Sequence, residues 1–181
     1  MRVYHVVCDR PVAVGQVIRL DETNHTGVYT RVMKLADKAS DVLAHPEQYA
    51  SELEYPLMVA LRELALEEIR QEQYPQFPSR MACLYASDDV EPAFRWAEYF
   101  VRLGRPTYVV VELEVSGRCF VGDALNCFDG TPDRNENRRM AEHYWRNDPN
   151  DEGREPIREM LVDGEITVVR IVREYNKNIP A

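Results

Sequence analysis

The sequence predicts an α+β fold in a single domain covering residues 1–181, and three observations predict it. Strand-like runs rich in valine and aromatic residues open and close the chain, at Met1–Cys8, Thr107–Val115 and Ile166–Arg173. Helical spacing fills the stretch between, with apolar residues at Val28, Val32, Leu35, Ala39 and Val42, and again at Leu57, Leu61 and Leu64. A length of 181 residues with 45% hydrophobic and 29% charged content suits one sizeable core. The order is strand, helices, strand, helix, then several strands, which predicts mostly antiparallel pairing late in the chain. No repeat, low-complexity tract or linker divides it.

Each element follows from its residues. In Met1–Cys8, alternation puts Val3, His5 and Val7 on one face and Tyr4, Val6 and Cys8 on the other, so His5 is aimed by a rigid strand. Residues 9–15 form a turn segment marked by Pro11 and Gly15, and Gln16–Leu20 adds a short strand. One helix is expected over residues 28–42, with Pro46 ending it or beginning the next; another amphipathic helix has Pro56 near its start. Glu63, Glu67, Glu68 and Glu72 load the outer face of that second helix, a solvated surface open to a protein partner. Pro75 and Pro78 break the chain ahead of a buried strand at Met81–Ala86. Asp88 with Glu91 reads as a capping pair, Pro92 sits in the first helical turn, and Ala93, Trp96, Ala97 and Phe100 share one face of the helix. Beyond the turn at Gly104 and Pro106, Thr107–Val115 is the longest strand. Ser116-Gly117 is then a turn from which Cys119–Val121 pairs back as a hairpin arm. Residues 126–137 read as loop, Arg138–Trp145 as a short helix, and Glu159–Val162 with Ile166–Arg173 as two strands or one broken at Gly164.

Composition excludes several functions. No apolar run is long enough for a membrane span, and the first residues lack the layout of a signal peptide, so a cytoplasmic location is expected. A net charge of −9 gives no overall attraction for nucleic acid. Arg134, Arg138 and Arg139 form a local basic cluster that could touch phosphates, diluted by Asp133 and Glu136. Cys8, Cys83, Cys119 and Cys127 include no C-x-x-C pair, and His5, His25, His45 and His143 are scattered. Reduced thiols and no metal are expected. The glycines form no G-x-G-x-x-G, which argues against a Rossmann cofactor site.

Three separated features remain: Tyr4-His5 on the first strand, Leu84-Tyr85-Ala86 before a capped helix, and Arg158-Glu159-Met160-Leu161-Val162 entering the last strand region. Together they resemble the diphtheria-toxin/PARP-like class of ADP-ribosyltransferases, whose motif is a His, a Tyr and an acidic residue on three strands. Glu91-Pro92-Ala93, Cys119-Phe120-Val121-Gly122-Asp123 and Arg154-Glu155-Pro156-Ile157 are similar to small bacterial forms, including the rifampicin-modifying transferases and an uncharacterised bacterial family of the same fold. Two positions depart from the pattern. Val6-Val7 replace the glycine-threonine that often follows the His, and Trp96 stands where a second stacking tyrosine is common.

The resemblance implies an ADP-ribosyltransferase-like fold of split, mostly antiparallel sheets flanked by helices. It also implies transfer of ADP-ribose from NAD to an acceptor, with release of nicotinamide and no need for a metal. The acceptor would be a protein, RNA or DNA, or a small molecule, the macromolecular cases befitting a bacterial toxin or phage-defence effector. An NAD glycohydrolase and an inactive binding module of the same fold are the alternatives. By the resemblance, His5 would hold a ribose hydroxyl, Tyr85 would stack on nicotinamide with Trp96 on its other side or beneath it, and the Val6 backbone would pair with the carboxamide. Glu159 is the first candidate for the acid that stabilises positive charge developing on the ribose. Asp123 is its rival, from the rifampicin-type arrangement, and Glu155 is a third option. Arg80, at the start of the Tyr85 strand, would meet the pyrophosphate or pair with a surface carboxylate. Core packing of the aromatics and a solvated Glu159 are the plain readings without the motif.

Overall fold

The computed structural model describes residues 1–8, 10–49 and 53–175. In chain order the elements are β1 (Arg2–Val7), β2 (Val17–Leu20), α1 (Gly27–Met33), α2 (Ala36–Ala44), α3 (Tyr55–Gln73), β3 (Leu84–Ala86), α4 (Val90–Arg102), β4 (Val109–Ser116), β5 (Cys119–Asp123), α5 (Arg134–Arg146), β6 (Arg158–Val162) and β7 (Gly164–Glu174). Among the described residues the strands form two antiparallel sheets, ordered β1-β4-β7-β2 and β3-β6-β5. The α+β class expected from the sequence is therefore observed. Asp9, in the turn expected over residues 9–15, lies outside the described residues.

The two sheets face each other. Val3, Val7, Val111, Leu113, Ile166 and Val168 from the first pack against Met160 and Val162 from the second. Helix α4 covers the outer face of the first sheet, setting Ala93 and Ala97 against Val110. Helices α3 and α5 cover the outer face of the second, where Leu66, Ile69, Tyr144 and Trp145 meet Phe120 and Leu161. Helices α1 and α2 pack in turn on α3 through Val32, Ala39 and Val42.

One bent ribbon makes both sheets. β4 pairs with β7 up to Ser116 opposite Glu165, and β5 pairs with β6 from Cys119 opposite Val162. The ribbon turns from sheet to sheet at Gly117 and Gly164. A Cβ on Gly117 would lie 2.1 Å from the Asp163 carbonyl oxygen, and one on Gly164, whose φ is +85°, would lie 2.4 Å from that of Ser116. Asp163 locks the bend, accepting from the Arg118 backbone N–H at 2.8 Å and from Arg118 Nε at 2.9 Å. The expected hairpin between Cys119–Val121 and the preceding strand is therefore corrected. Both edges of β4 are already taken by β1 and β7, so β5 crosses to the second sheet.

Other boundaries shift for local reasons. The helix expected over 28–42 is two helices, broken between Met33 and Ala36. The strand expected at Met81–Ala86 is paired only over Leu84–Ala86. Helix α5 begins at Arg134 because Asp133 caps it, accepting from the N–H groups of Asn135 and Glu136; the last part of the loop expected to residue 137 is thus helix. Helix α4 is capped by Asp89, which accepts from Val90 N–H. The expected cap Asp88 instead pairs with Arg158 at 2.6 Å. Among the described residues no helix is long and apolar enough to cross a membrane.

Candidate active site

The site forms where two sheet edges meet. β1 is the edge of one sheet and β3 the edge of the other. A single antiparallel bridge joins them, Tyr4 N–H to the Ser87 carbonyl and Ser87 N–H to the Tyr4 carbonyl, both 2.8 Å. The bridge sets His5 beside Tyr85, whose carbonyl lies 2.7 Å from His5 Nδ1. A carbonyl only accepts, which assigns the ring proton to Nδ1. Because Tyr4 turns its backbone groups to the open edge, strand alternation turns those of Val6 the same way, while Val7 faces β4 and accepts from Tyr108.

A cleft of about 820 Å³ opens at this junction. It is lined by His5, Val6, Tyr85, Trp96 and Glu159, five of the seven residues expected there from the sequence. Helix α4 carries Trp96 and Phe100 to the wall, with ring centroids 5.8 Å apart. Tyr85 is 38% exposed and lines the cleft, and desolvation by the protein around it pushes its pKa well above the usual phenol value. Tyr85 is thus a neutral ring at physiological pH.

Beneath it lies a buried charge cluster. Arg80 is 5% exposed and donates from Nε to Glu63 Oε2 at 3.0 Å and from Nη1 to Glu159 Oε1 at 2.8 Å. Nη1 also donates to the Tyr144 hydroxyl, and the guanidinium lies over the rings of Tyr144 and Tyr85 at 4.9 and 5.5 Å. Burial opposes the charge of Arg80, but Tyr85, Tyr144, Glu63 and Glu159 around it outweigh that cost and hold its pKa well above the ordinary arginine value. Burial likewise raises the pKa of Tyr144, which keeps its proton and donates it to Glu159 Oε1. Both side-chain hydrogen bonds to Glu159 thus reach Oε1, and among the described residues none reaches Oε2. Strand alternation explains the arrangement. On β6, Glu159 shares a face with Leu161, which packs under α3 and α5, so the carboxylate reaches Arg80 and Tyr144, and the residue also lines the cleft.

Arg80 and Asp123, expected in the cleft, do not line it. Arg80 is a buried anchor, neither a pyrophosphate contact nor a surface ion pair, because its donors are already committed to Glu63, Glu159 and Tyr144. Asp123 is 5% exposed and structural. It accepts from the N–H groups of Leu125 and Ile157 at 3.0 and 2.9 Å and from Asn150 Nδ2 at 2.7 Å, tying the start of β6 to the end of β5. Glu155 is exposed in the segment before β6.

The acidic outer face expected on the second helix is also corrected. Glu63 is 3% exposed and points inward, held by Arg80 and by Arg62 at 3.0 Å. Glu67 binds Arg70 at 2.7 Å, and Arg134 and Arg138 of α5 cover Glu68 and Glu72. The same pairs account for two arginines of the expected basic cluster, and Arg139 binds Glu136. Among the described residues no group of His, Cys, Asp and Glu is placed to hold a metal ion.

Sequence reasoning missed Glu63 and Tyr144, the partners of Arg80, and missed Arg31 and Arg105, which also line the cleft. Nothing in their local spacing marks them, since each comes from a different part of the chain.

A family model described as "Protein of unknown function (DUF2441)" matches residues 3–174. No curated protein matches the chain. The family match runs from the second residue of β1 to the end of β7 and takes in every residue that lines the cleft, so the chain belongs to the DUF2441 family.

Proposed function

We propose that the cleft cleaves NAD and transfers its ADP-ribose to an acceptor. The observation that carries this reading is the convergence of His5, Tyr85 and Glu159, from three strands in two sheets, on one cleft.

The residues have distinct tasks. Tyr85 offers a neutral aromatic face for the nicotinamide ring, with Trp96 on the same cleft. The backbone N–H and C=O of Val6, turned to the open edge of β1, pair with the carboxamide, and no particular side chain is needed there. His5, fixed by the Tyr85 carbonyl, holds a ribose hydroxyl. As the bond from C1′ to the nicotinamide nitrogen breaks, its electron pair leaves with nicotinamide and positive charge develops on the ribose. Glu159 presents its carboxylate to that charge, and the acceptor then attacks C1′ and gives up its proton to Glu159 or to water. Arg80 and Tyr144 are positioning residues: by occupying Oε1 they fix the carboxylate without occupying the cleft.

Incubation with NAD labelled in the adenosine half tests the reading. Release of free nicotinamide with label on an acceptor is expected. Release without a labelled acceptor would make water the acceptor. Neither release nor labelling, from folded protein at millimolar NAD, would overturn the proposal.

A further inference from the structure

We propose that Arg31 and Arg105 form a subsite in the cleft for the diphosphate of a dinucleotide, a reading that rests on NAD being the substrate. Many arginines of this chain are tied to carboxylates: Arg2 to Glu112, Arg19 to Glu165, Arg118 to Asp163, Arg173 to Glu98, and others like them. Arg31 and Arg105 line the cleft and are exposed, and among the described residues no carboxylate pairs with either. A third cleft arginine, Arg158, is already paired with Asp88.

Arg10, Arg95 and Arg102 also lack a carboxylate partner among the described residues, but Arg31 and Arg105 stand on the wall of an aromatic cleft, where an anion can complete both. The chemistry of the walls narrows the anion. Guanidinium groups match the oxygens of an oxyanion two at a time, which disfavours a halide, and two guanidinium groups in one cleft suit an anion of more than one charge, as a diphosphate is. Arg105 is laid over the Phe100 ring at 5.0 Å, an arrangement that restrains its planar head at the cleft wall. Tyr85, Trp96 and Phe100 line the same cleft, so aromatic surface is available for the flat rings that the phosphates of a dinucleotide join. Rings joined through phosphates describe a dinucleotide. The subsite takes the role that Arg80, buried under Tyr85, cannot play.

Calorimetric binding of ADP-ribose, inorganic pyrophosphate and adenosine to the full chain tests this, with Arg31→Gln and Arg105→Gln made singly. Both side chains are exposed, so the variants keep the fold, which a thermal melt verifies. ADP-ribose and pyrophosphate are expected to bind the wild type and to weaken about tenfold in each variant, the size of one charge-assisted hydrogen bond at an exposed site. Adenosine binding is expected to stay the same, and the phosphate-dependent affinity to fall as salt is raised. Equal affinity of wild type and both variants for ADP-ribose, or no binding of ADP-ribose to wild type, overturns the subsite. Nicotinamide release is read in parallel: release with unchanged affinities removes the subsite and leaves the transfer reading, whereas the expected affinity losses without release keep the subsite and remove the transfer reading.

Discussion

Changing Glu159 to Gln and, separately, Asp123 to Asn removes one carboxylate charge each, and the structure gives the two changes opposite consequences. In Glu159→Gln the amide oxygen would still accept from Arg80 Nη1 and the Tyr144 hydroxyl, and Arg80 would keep Glu63, so a stability loss of only about 1–2 kcal/mol is expected. On the proposed function, however, the charge that would face the ribose is lost. Removing one electrostatic stabiliser costs roughly a hundredfold in turnover, about 2.7 kcal/mol of barrier, while NAD affinity changes little because the ground state carries less positive charge at C1′. Asp123→Asn has no such route to the chemistry, since Asp123 does not line the cleft. One of its oxygens accepts two backbone N–H groups and the other accepts Asn150 Nδ2, so either orientation of the new amide sets a donor against a donor. Asn150 cannot turn over to compensate, because it also donates to the Arg154 carbonyl and accepts from Arg154 N–H. A lost charged hydrogen bond and an unsatisfied buried donor together cost about 2–4 kcal/mol. Urea midpoints, NAD calorimetry and nicotinamide release per mole of folded protein separate the two variants. Full release by Glu159→Gln, or loss of release by a fully stable Asp123→Asn, would refute the reasoning.

Three further outcomes are expected. Tyr144→Phe removes the donor to Glu159 Oε1 and an acceptor of Arg80; a stability loss of about 1–2 kcal/mol is expected, with turnover lowered more than NAD affinity. Unchanged turnover would deny Tyr144 its positioning role. Gly164→Ala puts a Cβ against the Ser116 carbonyl at a φ of +85°, and urea unfolding is expected to show a loss of about 2 kcal/mol or more. A neutral effect there would mean that the ribbon does not bend as described. Burial raises the pKa of the Cys83 thiol and of the Tyr85 and Tyr144 phenols in the folded state, above ordinary values of 9.0 and 10.0. Above those values the unfolded chain releases protons that the folded chain still holds, so stability is full below about pH 9 and falls as pH rises beyond it. A urea midpoint that stays level from about pH 8 to about pH 11 would contradict this.

The sequence by itself determined the elements and several of their ends. Alternation in Arg2–Val7 and Val109–Ser116 reads directly as strand, and a carboxylate cap followed by Pro92 announces α4, although the cap is one residue later than its neighbour Asp88 suggested. His5, Tyr85 and Glu159, which line one cleft, could be singled out as candidates because the three short strand motifs that carry them follow one another in a recognisable order. Tertiary structure alone decided the rest. Glu63 reads as a solvated charge on α3 until Arg80, seventeen residues on, closes over it. A carboxylate can be buried only where a partner arrives to replace water, and helical periodicity carries no information about that partner. β5 reads as a hairpin arm because Ser116-Gly117 is a turn sequence, yet the occupied edges of β4 send it to the other sheet. The cleft itself depends on one bridge, Tyr4 to Ser87, between residues far apart in the chain, and that bridge decides which side chains meet. Local sequence sets local geometry through backbone sterics and side-chain period; convergence of distant groups is set by which surfaces remain to be paired once the core has formed.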